Sequence, residues 1–256
     1  MGSAHVEEFL NYIRNEKNLS ENTIQAYLSD IKRYKEFLLK SEVDIIEANN
    51  TNVLMYLLNL QKLEKSSATI SRHLASIRSF YDYLEDHGLI SENPTYNLKV
   101  PRKKKKQPKI LEEQDIIKLI SMPDTKTEKG LRDKIILQVA YFTGLRVSEL
   151  SELSIKDIDL INNSISIKRN DSFKLINLPN DIVDAIKIYL REFRKEYDDS
   201  EPLFINYLGE RLTRQGLWKI IKSYANGIID KPVTPQVIRN SFMANLMKED
   251  SNIQSY

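Results

Sequence analysis

Apolar side chains recur at helical spacing through the first hundred residues. Val6, Phe9, Leu10 and Ile13 follow i, i+3, i+4, i+7, which predicts a one-sided helix. Ser20 is placed to cap a second helix, with Thr23 three residues on and Ile24, Tyr27, Leu28, Ile31, Tyr34 and Leu38 as its buried stripe. A third helix is predicted over 51–63 on Val53, Leu54, Leu57 and Leu58. A fourth starts at Ser66-Ser67 and buries Ile70, Leu74, Ile77, Phe80, Tyr81 and Leu84. Gly88 suits its C-terminus, and Asn93-Pro94 closes the segment. Residues 1–100 therefore read as an all-helical domain.

Beyond residue 110 the texture changes. Helical spacing covers 112–121, 131–143 (stopped by Gly144) and 147–153. A period of two follows: Ile158 and Leu160 precede the turn pair Asn162-Asn163, and Ile165 and Ile167 alternate with Ser164, Ser166 and Lys168. Residues 168–174 read as a polar turn broken by Phe173, and 175–178 as a further strand. Helices resume at 181–194, 213–225 and 234–249. The predicted class is mainly α with a small antiparallel β-sheet, the sheet lying in a second domain over 110–256.

The 38 Lys and Arg nearly balance the 36 Asp and Glu, but their distribution is uneven. Arg102, Lys103, Lys104, Lys105 and Lys106 run consecutively between Pro101 and Pro108, with Lys109 behind them. The prolines predict an extended connector over 101–109. It is either a solvated tether or a strap along a polyanion, each lysine there releasing a counterion from a phosphate. Two helix faces carry polar groups that could reach a DNA groove: Asn22, Thr23, Gln25, Lys32 and Arg33 on the second, and Ser67, Thr69, Arg72, His73, Ser76 and Arg78 on the fourth. An ordinary solvated face has the same composition.

With no Cys, the chain has neither a disulfide framework nor a thiolate site, and its three scattered His make a His-rich metal centre improbable. No apolar run approaches the roughly 20 residues of a bilayer span, and the N-terminus lacks a secretory pattern, so no membrane role and a cytoplasmic location are expected.

The octet Thr143-Gly144-Leu145-Arg146-Val147-Ser148-Glu149-Leu150 puts an arginine at a helix junction, with a carboxylate three residues on. A guanidinium fixed there suits a phosphate; alone, the pair reads equally as a structural ion pair. The octet resembles the first-arginine motif of the tyrosine recombinases, in their Xer-type branch. Leu19–Tyr27, Ser71–Tyr83 with Asn93-Pro94, Leu212–Trp218 and Thr234–Arg239 resemble further segments of that family in the same order, spanning nearly the whole chain.

The resemblance implies a core-binding, SAM-like helical domain followed by a catalytic domain, and site-specific cutting and rejoining of double-stranded DNA. A tyrosine hydroxyl attacks a phosphodiester, a 3′-phosphotyrosyl link forms, and a 5′-hydroxyl reverses the step. No metal or nucleotide cofactor is implied. Arg146 and Arg239 match the two family arginines that stabilise charge on the non-bridging oxygens. Lys168 is taken as the turn lysine that protonates the leaving oxygen, with Arg169 (in an ungapped alignment) and Lys174 as alternatives. Thr213, Arg214 and Gln215 are expected DNA contacts at a helix start.

Two departures stand out. Gln236 replaces the histidine of the His-x-x-Arg-His pattern, and it can hydrogen-bond a phosphate but not shuttle a proton. Only 17 residues follow Arg239, so the Gly-His motif and nucleophilic tyrosine that relatives carry further on are not expected here, Tyr256 being out of position. The expectation is a chain that clamps DNA without cleaving it and lacks the segment for a homo- or hetero-tetramer. The alternative is a non-catalytic regulatory or architectural relative. The sequence does not separate chromosome-dimer resolution from mobile-element integration.

Overall fold

Polar caps begin three of the first four helices. In the computed structural model the side chains of Ser20, Asn49 and Ser66 accept hydrogen bonds from the backbone N–H of Thr23, Asn52 and Thr69, at 3.3, 3.2 and 3.1 Å. The structure describes residues 2–17, 19–99, 108–169, 172–194, 197–227 and 229–253, and gives the backbone alone for 2, 3 and 248–253. The chain forms two compact units, Met1–Lys106 and Gln107–Tyr256. The division falls at the basic run; Arg102, Lys103, Lys104, Lys105 and Lys106 lie outside the described residues.

The first unit packs α1 (Gly2–Asn15), α2 (Glu21–Leu39), α3 (Asn50–Lys62) and α4 (Ser67–Asp86) around Phe9, Ile13, Ile31, Tyr34, Ile77, Phe80, Tyr81 and Leu84, all fully buried. Phe9 and Phe80 meet edge-on at 5.4 Å. On α3 the buried stripe is Val53, Tyr56, Leu57 and Leu60. The expected core residues Leu54 and Leu58 are exposed, because Tyr56 rather than its aliphatic neighbours fills the gap beside Tyr34 and Phe37.

Two residues assigned to the polar outer face of α4, His73 and Ser76, are buried instead. The cause is Asp30, a fully buried carboxylate on α2. Arg72 Nη1 and Ser76 Oγ donate to its Oδ2 at 2.7 and 2.9 Å, and His73 Nε2 lies 3.3 Å from its Oδ1. The Tyr56 hydroxyl pairs with His73 Nδ1 at 3.0 Å. A buried carboxylate needs such partners, and they bend α4's polar stripe inward.

In the second unit α6 (Glu128–Thr143) is the central helix, apolar on nearly all sides and surrounded by α5 (Glu113–Ser121), α7 (Val147–Glu152), α8 (Asn180–Phe193), α9 (Arg214–Ala225) and α10 (Pro235–Ile253). Beside it lies an antiparallel sheet, order β1-β2-β3, of β1 (Ile158–Asp159), β2 (Ser164–Arg169) and β3 (Ser172–Asn177). The strands run straight through most of the segment 168–174 that was expected to be a turn. Ile158, Ile165 and Ile167 fix the register by pointing into the core. Ser241 Oγ accepts from the Leu111 N–H at 2.8 Å, tying the unit's first residues to α10. Among the described residues, no helix is long and apolar enough to cross a membrane.

Burial disfavours the charged form of His73 and pulls its pKa below the ordinary value, with Asp30 opposing and Arg72, Arg33 and Lys65 adding to the fall. The unfolded imidazole protonates near pH 6.5 while the folded one does not. Its contribution to stability is therefore present above pH 6.5 and lost as pH falls through the lower folded value. Thermal melts between pH 7.5 and 5 should fall more steeply for the wild type than for His73→Asn; parallel curves would refute this account.

Candidate functional site

Gly144 ends α6 in the left-handed region, at φ 57°. A Cβ there would run into the Phe242 ring of α10. Glycine thus meets two demands at once, the positive φ and the close approach of a neighbouring helix. The chain then buries Leu145 and turns extended at Arg146, which caps α7. The Glu149 carboxylate accepts from the Arg146 backbone N–H at 2.6 Å, and Arg146 Nη1 lies 3.5 Å from its other oxygen. The Arg146 side chain remains 63% exposed.

Glu149 is the hub of the site. Arg169, at the end of β2, donates to both of its oxygens, Nε at 2.8 Å and Nη2 at 3.1 Å. Arg239, on the first turns of α10, places Nη1 3.9 Å from Glu149 Oε2. That nitrogen is buried and has no hydrogen-bond partner among the described residues. Burial raises the Glu149 pKa, but the hydrogen bonds from Arg169 and the Arg146 backbone, with the two guanidinium charges, carry it below the ordinary carboxylate range. Burial, then the like charge of Arg146, lowers the Arg239 pKa against the pull of Glu149; a guanidinium still keeps its proton at neutral pH. Three cations around one carboxylate leave a surplus of positive charge. Arg146, Gln236 and Arg239 line a concavity of about 480 Å³ beside it. The Gln236 amide donates to Asn240 Oδ1 at 2.8 Å.

Lys168 does not join this group. Cross-strand partners share a face, and Lys168 pairs with the exposed Phe173 while Arg169 pairs with Ser172. Side chains alternate along β2, so with Ile165 and Ile167 in the core, position 169 points to Glu149 and position 168 to the opposite face. Of the three alternatives for the turn position, the structure brings Arg169 to the arginine pair. The clue was the alternation itself, extended one step further. Lys174, opposite Ile167, shares the Arg169 face.

The other expected contacts divide by unit. Thr213 caps α9 by accepting from the Gly216 N–H at 3.1 Å, and Arg214 and Gln215 stand exposed in its first turn. They line a second concavity of about 340 Å³ that shares Val147 and Trp218 with the first. Trp218 closes the family-like segment Leu212–Trp218 but was not among the expected DNA contacts. In the first unit, Thr23 and Thr69 are held in their helix caps by Ser20 and Ser66, and Gln25 donates to Glu21 at 2.8 Å. Arg72 is anchored on Asp30, and Arg78 donates to the Leu98 carbonyl at 2.8 Å. Among the described residues, no cluster of His, Cys, Asp and Glu could hold a metal ion.

The profile of the phage integrase family matches residues 109–255, and that of its N-terminal SAM-like domain matches residues 6–88. The chain is 34% identical over 260 residues to the tyrosine recombinase XerD of Listeria innocua, covering 98% of this chain and 87% of that one. It is 31% identical over 256 residues to XerD of Staphylococcus epidermidis, with the same coverage. In fold it is similar to the XerH site-specific recombinase solved on a palindromic difH substrate (TM-score 0.74, 20% identity, 95% of this chain and 74% of that one). It is also similar to the Tn1549 transposon integrase solved with right-end DNA (TM-score 0.75, 18% identity, 96% and 87%).

Gly144→Ala should lower stability by about 2 kcal/mol or more, from the left-handed backbone and the collision with Phe242 together. Adding Phe242→Ala should relieve the collision but not the backbone strain, so in urea denaturation the two changes should combine non-additively. Simple additivity would show that Phe242 does not set the position of residue 144.

Proposed function

The chain belongs to the phage integrase family, and on that premise we propose that it holds a DNA phosphodiester against Arg146, Arg239 and Arg169 as a site-specific recombinase of the Xer type. One observation carries this assignment. Arginines from the start of α7, from β2 and from α10 converge on Glu149 with charge to spare, and Arg239 Nη1 is buried without a hydrogen-bond partner among the described residues. An anion in the adjoining concavity would supply what the carboxylate cannot.

The chemistry follows from that arrangement. As a tyrosine hydroxyl attacks phosphorus, negative charge grows on the non-bridging oxygens. Guanidiniums fixed beforehand favour that state over the ground state. Glu149 provides the fixing: it orients Arg169 by a two-pronged bond and spaces Arg146 from Arg239. The tyrosyl ester forms as the bond to the 5′-oxygen breaks. Arg169 does not release a proton near neutrality, so the proton given up by the tyrosine hydroxyl and the one taken by the departing 5′-oxygen pass through water or through Lys174 on the Arg169 face. Gln236, turned toward Asn240, can offer a phosphate its amide N–H but no proton relay. In the proposed assembly four protomers, of one or two kinds, gather on paired DNA sites in the cytoplasm.

A second reading, a non-catalytic DNA-binding relative, draws on two specific residues. Arg169 and Gln236 stand where the family's chemistry moves protons, and each retains binding while giving up proton transfer. A suicide substrate nicked near the target phosphate separates the two. In a chain extended by the family's C-terminal tyrosine segment, a covalent protein–DNA adduct on a denaturing gel establishes the recombinase, and binding without adduct establishes the binder.

Both readings require phosphate contacts. Duplex affinity, followed by anisotropy, should fall linearly on a log–log salt plot with a slope of about 0.9 per neutralised phosphate. Arg146→Ala should weaken Kd roughly tenfold, as expected for about 1.5 kcal/mol of charged hydrogen bonding, and should reduce that slope by about one. A shallow wild-type slope unchanged in Arg146→Ala would exclude a phosphate site at Arg146.

A further inference from the structure

Trp218 is the chain's single tryptophan, and it does not serve the core. It lies one turn into α9, 40% exposed, on the wall between the two concavities described above. On one side it faces the space bounded by Arg146, Gln236 and Arg239. On the other it shares a lining with Val147, Arg214 and Lys219. Lys222, one turn along α9, holds its ammonium over the ring 4.9 Å from the centroid. With Arg214 and Lys219 lining the same concavity, the ring has cations on its flanks. Among the described residues, no Asp or Glu lines either concavity.

We propose that Trp218 is a packing platform for the nucleotide next to the phosphate held by Arg146 and Arg239. The inference rests on the DNA-binding function proposed above and adds a residue to it. An indole offers flat apolar area that any deoxyribose or base can cover, while cations at its margin track the backbone. The two concavities share Val147 and Trp218, so a strand with a phosphate in the first passes the ring to reach the second. The α9 N-terminus, capped by Thr213, adds exposed N–H groups on that side. The ring face itself carries no base-specific donor or acceptor, so it fixes where the strand lies without reading sequence.

The single tryptophan makes the test direct. The full chain is titrated at low salt with a short duplex. Binding is followed by anisotropy of labelled DNA, and indole accessibility by acrylamide quenching. Duplex should reduce the quenching constant at least about twofold, while saturating inorganic phosphate, which fills the arginine site alone, should leave it unchanged. Trp218→Phe should keep Kd within about twofold, and Trp218→Ala should weaken it about fivefold or more with the circular dichroism spectrum intact. Binding with unaltered quenching, or a Trp218→Ala protein that binds like the wild type, overturns the platform alone. Absence of duplex binding by anisotropy overturns the proposed function and the platform together.

Discussion

One carboxylate organises the site. Glu149 reaches three guanidiniums that are brought together from positions 146, 169 and 239, and without it their mutual repulsion would drive them apart. Its own ionisation is secured by the same contacts, which outweigh the cost of its burial. The pairings are unequal. Arg169 takes a full fork, Arg146 gives mainly its backbone N–H, and Arg239 stops short of a hydrogen bond. That gradation leaves Arg146 and Arg239 with bonding capacity while Arg169 is largely satisfied.

The second unit is built to deliver this geometry. Gly144 lets the chain leave α6 sharply enough for Arg146 to emerge at the junction, and the Phe242 ring of α10 fills the space a side chain would take. Because α10 also carries Arg239 and Gln236, one helix contact sets both the exit of the first arginine and the placement of the second. The link from Ser241 to Leu111 further fixes α10 to the beginning of the unit. Arg169 arrives independently, on a strand whose register is set by buried isoleucines.

Much of this was legible in the amino-acid order. Helix starts at Ser20 and Ser66, the stop at Gly144 and the strand at Ile165 and Ile167 followed from local chemistry, since caps, glycines and periodicity act over a few residues. What escaped depended on distant partners. His73 and Ser76 look like surface residues until Asp30, more than forty positions earlier, draws them in. Leu54 and Leu58 look like core until Tyr56 takes the space. Lys168 was preferred to Arg169 at the turn, and the strand's alternation sets 169, not 168, on the Glu149 face.

That last point bears on what the site does. An arginine and a lysine at position 169 would supply similar charge, but only a lysine can surrender a proton in a pH range where the protein survives. A glutamine at 236 likewise preserves hydrogen bonding and removes a titration step. Neither side chain titrates near neutrality, so these two positions suit holding a phosphate more than moving protons around it. A phosphodiester held by guanidiniums would be gripped independently of pH across the neutral range.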